Sequence, residues 1–165
     1  MAPLVTPPII SHQGWASPEM LAGQAYGKEA DVFSFGVVLW ELITLKQPWR
    51  NEAEGGSVVP LYLIINEVTA GNRLDMPAAE DVAPPLPEVA AVISLARECW
   101  DQAPARRPTM ADVAGRLRGI IGGIKGRRRE AQQRAAAARL GSASSGASTA
   151  ASAATSSGGL GGGDG

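Results

Sequence analysis

The stretch EADVFSFGVVLWELITLKQPW, residues 29–49, decides how this chain folds. Its apolar run over 32–45 is shorter than the about 20 residues that a helix needs to cross a bilayer. It is longer than a typical strand, and its apolar side chains fall on every face instead of alternating. A helix that is apolar all round is buried in protein. The stretch therefore predicts a core helix, with Asp31 as an N-cap whose carboxylate accepts the free amides of the first turn. Pro48 closes the segment. Glu41 stands as a lone acid inside the run.

A core helix requires other elements around it, and the sequence supplies three. Leu61, Ile64, Ile65 and Val68 keep helical spacing, with Gly71 as the stop. Residues 78–87, AAEDVAPPLP, read as a loop. Val89, Val92, Ile93, Ala96 and Cys99 or Trp100 mark a third helix. A fourth begins at Thr109, with Asp112 as its capping-box partner, and runs through Val113, Leu117, Ile120 and Ile121. No alternating segment of useful length appears, so the predicted fold is all-α: a central buried helix with three others packed on it.

The flanks read differently. Residues 1–10, MAPLVTPPII, form a Pro-rich segment with no positive n-region, which does not read as a signal peptide. Gly122 and Gly123 are expected to break the fourth helix, leaving 122–140 as a basic, Ala-rich helical extension without an apolar face. Residues 141–165 are almost entirely Gly, Ser, Ala and Thr. Such a tail buries too little apolar surface to offset its ordering entropy, and is expected to be disordered.

The whole chain has 165 residues and 45% hydrophobic composition, which suits one globular domain. Its net charge of −1 conceals an asymmetry. Residues 1–122 hold nine Lys and Arg against fourteen Asp and Glu, whereas 123–165 hold six against two. The acidic part gives no sign of a nucleic-acid-binding domain. One cysteine, Cys99, excludes an internal disulfide framework and a Cys-based zinc site, which makes a cytoplasmic location the default expectation. Cys99 lies on an apolar helical face and reads as an inert core thiol. The four tryptophans, Trp15, Trp40, Trp49 and Trp100, read as core packing around the buried helix.

Three stretches, in this order, resemble one family. GWASPEML (14–21) resembles the end of a protein-kinase activation segment, where a Trp is followed by A-P-E; Ser17, Pro18 and Glu19 occupy those three places. Residues 29–49 resemble the central helix of a kinase C-lobe, D-V-x-S-F-G-x-x-L-W-E-L, which includes Asp31, Gly36 and Trp40. CWDQAPARRPTM (99–110) is similar to the C-W-x-x-D-P-x-x-R-P that ends the domain, with Cys99, Trp100, Arg107 and Pro108 in register and Ala103 as a departure. The phrasing resembles the tyrosine-kinase-like branch, most of whose plant and algal members phosphorylate Ser or Thr. The resemblance covers residues 11–121 and implies a partial kinase C-lobe.

The resemblance implies roles for particular residues. Glu19 and Arg107 would form an ion pair inside the lobe, suited to the fork of Arg. Asp31 would brace the backbone of a catalytic loop, although the plain N-cap reading is preferred here. The helix at about 60–71 would dock substrate, with His12, Gly14, Leu61 and Ile65 bordering that surface.

Phosphoryl transfer needs a Gly-rich loop, a strand Lys paired to a helix Glu, a catalytic-loop Asp and Asn, and a D-F-G Asp for magnesium. The sequence contains no G-x-G-x-x-G, V-A-I-K, H-R-D or D-F-G. Two readings follow. One is a piece of a protein kinase whose full-length parent uses ATP and magnesium to phosphorylate Ser or Thr in proteins, the chain itself holding no cofactor and being inactive alone. The other is a non-enzymatic, kinase-like helical module that binds protein partners. In both, a core helix left partly uncovered exposes an apolar patch, and residues 125–139 offer a weak site for an acidic partner.

Overall fold

The structure, a computed structural model, describes residues 13–51, 53, 55–83 and 86–153, with side chains through Arg139. The Pro-rich segment 1–10, His12 and residues 154–165 lie outside the described residues. Two compact units are present, one up to Ile120 and one from Ile121.

In the first unit a 3-10 turn, Gln13–Trp15, precedes the short helix α1 (Pro18–Leu21) and the core helix α2 (Lys28–Thr44). A hairpin of β1 (Arg50–Asn51) and β2 (Ser57–Val58) follows, then α3 (Leu61–Ala70), α4 (Pro87–Cys99) and the start of α5 (Met110–Ala153). The hairpin is antiparallel, with Arg50 opposite Val58 and Asn51 opposite Ser57, and Gly55 and Gly56 at positive φ turn it. The all-α reading holds, with this small hairpin as an addition to it. Two-residue strands carry no alternation that a sequence pattern can register.

Helix α2 starts earlier than its apolar run. Its N-cap is Gly27, and Glu29 and Asp31 both lie in its first turn. Asp31 is therefore not the N-cap, and its side chain is exposed. Lys28, Glu29 and Ala30 are good helix formers, so the helix extends back to the extended backbone of Gly27. Asp31 keeps only the favourable placement of an acid near a helix N-terminus. At the other end Leu45 takes a left-handed conformation at φ 56 and closes the helix before Pro48.

The reason α2 is apolar on several faces is visible in its neighbours. Val32 and Leu39 pack with Leu95, Ala96 and Cys99 of α4 and with Val113 of α5. Phe33, Val37 and Trp40 pack on the adjoining face with Ile64 and Val68 of α3 and with Trp100. Gly36 is the point of closest approach to α4. A Cβ there would lie 2.9 Å from the Cys99 Cβ and 3.1 Å from the Ala96 carbonyl oxygen and the Trp100 amide nitrogen. The remaining face is poorly covered. Val38 is half-buried, while Leu42 and, at the C-cap, Leu45 are 67% and 89% exposed.

Gly71 ends α3 at φ 97, as its position after the apolar pattern predicts. Thr109 and Asp112 close the capping box of α5: the Asp112 amide donates to Thr109 Oγ1 at 3.2 Å and the Thr109 amide to Asp112 Oδ2 at 3.2 Å. Helix α5 does not break at Gly122 and Gly123, which corrects that expectation. Neither glycine has the positive φ of a helix stop. Each costs only about 1 kcal/mol relative to Ala inside a helix, and the Ala-, Arg- and Gln-rich sequence beyond them favours propagation. Among the described residues α5 extends through 141–153, where composition predicts disorder. Once a helix is nucleated, each added residue gains a hydrogen bond without a new nucleation cost.

Candidate functional site

The segment 13–21 is clasped onto the helical body through three anchors. Trp15 donates its indole N–H to Glu41 Oε2 at 2.7 Å, which gives the lone acid of the apolar run its partner. Ser34 Oγ donates to the Trp15 carbonyl at 2.8 Å. The third anchor is Arg107, whose Nη1 and Nη2 meet Glu19 Oε1 and Oε2 at 2.6 and 2.9 Å. This is the bidentate geometry that a guanidinium fork offers a carboxylate. The pair is enclosed, with the Glu19 and Arg107 side chains 7% and 0% exposed.

Arg107 reaches further than Glu19. Its Nε donates to the Asp101 carbonyl and Nη1 also to the Glu29 carbonyl, both at 2.9 Å. Its guanidinium carbon lies over the Phe33 ring, 5.1 Å from the centroid, and that of Arg73 lies at 5.0 Å from the same ring. Arg73 in turn donates to the Trp100 carbonyl at 2.9 Å and to Gln102 Oε1 at 2.6 Å. Burial, and then the charge of Arg107, hold the Arg73 pKa below its ordinary value. Burial alone would raise the Glu19 carboxyl, but its hydrogen bonds, chiefly from Arg107, outweigh this and hold it below the usual carboxylate range.

Beside the clasped segment lies a groove of about 610 Å³ between the Gln13–Trp15 turn, the hairpin and α3. Gly14, Trp49, Val59, Leu61 and Ile64 line it. Trp49, at φ 57, holds a left-handed conformation that a bulky residue rarely adopts. Two hydrogen bonds fix it there: its indole N–H donates to the Gly14 carbonyl at 3.2 Å, and its carbonyl accepts from the Val59 amide at 2.9 Å. The described lining contains Arg50 but no carboxylate, histidine, cysteine or serine. It can hold a chain; it presents no group that could move a proton at neutral pH.

Gly14 and Leu61 line the groove, while the half-buried Ile65 does not and its neighbour Ile64 does. His12 falls outside the described residues. Ser17 and Pro18 are buried beside Glu19, and the Ser17 hydroxyl makes no hydrogen bond of normal geometry among the described residues. Trp40 is buried and donates to the Asp75 carbonyl at 2.7 Å. Trp100 is buried, and Pro108 half-buried behind Arg107 in sequence. Cys99 is fully buried, its thiol pushed up to about 11 by burial and then by Glu98. Sequence reasoning missed Arg73, Phe33 and Gln102. Arg73 carries no local signal, because its role depends on the loop after Gly71 turning back across Phe33.

Among the described residues no three His, Cys, Asp or Glu side chains are grouped so as to hold a metal ion. No described helix is long and apolar enough to cross a membrane.

A core helix held between two apolar clusters, with a Trp-Ala-Ser-Pro-Glu segment clasped to an Arg-Pro turn, defines the helical lobe of a kinase-type fold. Residues 9–117 match the family model described as protein tyrosine and serine/threonine kinase. The chain is 36% identical over 107 residues to the serine/threonine-protein kinase CTR1 of Arabidopsis thaliana, a match covering 65% of this chain and 11% of that protein. It is 38% identical over 100 residues to the mouse ankyrin repeat and protein kinase domain-containing protein 1, covering 59% and 12%. It is 30% identical over 107 residues to the dual specificity protein kinase shkD of Dictyostelium discoideum, covering 65% and 13%. The chain belongs to the protein tyrosine and serine/threonine kinase family. It spans about a tenth of the length of these relatives.

Proposed function

We propose that this chain is the substrate-facing end of a protein kinase domain, whose complete form transfers the γ-phosphate of ATP to Ser or Thr in protein substrates during signalling. The observation that carries this reading is the Glu19–Arg107 clasp. It fixes segment 13–21 against the lobe and so shapes one wall of the groove that α3 completes. In this reading the groove receives the substrate chain, and ATP and magnesium are held by residues other than these 165. The parent acts inside the cell, in the cytoplasm or associated with a membrane.

The chain by itself transfers no phosphate, because its sequence holds neither a phosphate-cradling loop nor a catalytic-loop Asp. Purified protein incubated with labelled ATP, magnesium and a mixed protein substrate is expected to give no transfer above the no-enzyme control. Transfer above control that is lost in Glu19→Gln would overturn the reading. A second reading, a non-enzymatic module that docks a protein partner, is favoured by the exposure of Leu42 on α2 and of Leu45 at its C-cap.

A further inference from the structure

We propose that the part of α5 from Lys125 to Arg139 binds double-stranded DNA through its phosphates, lying in the major groove without reading sequence. This stretch carries six Lys and Arg against Glu130, a net charge of +5. The structure makes it one unbroken helix, exposed along its length apart from the half-buried Gly126. Lys125, Arg128, Arg129 and Arg134 make no ion pair among the described residues. An array of free cations on a continuous helix is an electrostatic footprint for a polyanion.

The side chains between the cations decide which polyanion fits. From Lys125 to Arg139 the uncharged residues are Gly, Ala and Gln, so no bulky apolar side chain is available to anchor in a bilayer or in a protein pocket. Binding to phosphates needs no such anchor, because release of condensed counterions drives it. Five of the six cations are Arg, whose planar fork matches a phosphate in two-point contact. At 3.6 residues per turn Lys125, Arg128 and Arg129 share one side of the helix, and Arg134 lies on the opposite side. A helix in the major groove faces a phosphate wall on both sides, and the small Ala side chains keep it slim enough for a groove about 12 Å wide. The major groove of duplex RNA is too narrow to admit it.

The test is fluorescence anisotropy of the full chain with a labelled 20-base-pair DNA duplex, repeated across a salt series. The expected dissociation constant is about 10⁻⁴–10⁻⁶ M at physiological salt, with log affinity falling against log salt at a slope of about −4 for four to five neutralised phosphates. Replacing Lys125, Arg128, Arg129 and Arg134 together by Gln abolishes binding, while replacing the three Arg by Lys keeps the slope. Circular dichroism checks that both variants keep their helix. The proposal is overturned by an absence of DNA binding, by a Gln variant that binds as well as the parent chain, or by duplex RNA or anionic phosphatidylserine vesicles binding as tightly as DNA.

Discussion

Arg107 donates four hydrogen bonds from one buried guanidinium, to Glu19, Glu29 and Asp101. Replacing it by Ala would leave the Glu19 carboxylate enclosed without a counter-charge. The expected loss is about 3–5 kcal/mol, read as a lower urea midpoint. Arg107→Lys recovers little of this, since an ammonium cannot supply the two-point fork or stack on Phe33. The same pair sets an acid limit. Glu19 has a lowered pKa in the folded chain, so its contribution to stability is complete above its ordinary value of 4.5 and is lost as pH falls through the lowered one. Unfolding midpoints at pH 7 and pH 3 should therefore differ less in Glu19→Gln than in the parent chain; an equal difference would assign the acid sensitivity to other carboxyls. Glu19 and Arg107 were legible in the sequence because each sits in a short motif of fixed order. Their extension through Phe33 to Arg73 was not, because three separate segments must meet before those side chains can touch.

The elements were legible where hydrophobic spacing is long and dense. Helices α2, α3 and α4 fall where their apolar positions predict, and Thr109 marks the start of α5 through its cap. The boundaries failed where the sequence offers two compatible signals. Asp31 is a good cap residue, yet it follows residues that are themselves good helix formers, and the helix takes them in. Gly122 and Gly123 are good stops in isolation, but helix-favouring residues on both sides outweigh them. The contact between α2 and α4 depends on the missing side chain at Gly36. In Gly36→Ala the added Cβ meets backbone atoms of Ala96 and Trp100 that cannot swing aside. Moving them costs about 1–3 kcal/mol, the usual range for overpacking a filled core, and thermal unfolding would show it. No loss of stability would mean that α2 and α4 are further apart than described.

At the scale of the molecule, the exposed side of α2 is the feature with the widest consequence. Leu42 of α2, 67% exposed, and Leu45 at its C-cap, 89% exposed, give the chain an apolar surface prone to association. Light scattering is expected to find oligomers in the parent chain and a shift toward monomer in the double variant Leu42→Glu, Leu45→Glu. A monomeric parent would show that the stripe is too small to drive contact. The sequence marked this helix as over-apolar for its surroundings, but how much of it stays bare depends on how α3, α4 and α5 share its faces.

The claim that the chain is part of a kinase domain is tested most directly by sequencing the 5′ end of its transcript. In-frame codons for H-R-D and D-F-G are expected upstream of Met1. An in-frame stop directly upstream, with no such codons in any mature transcript, would contradict it.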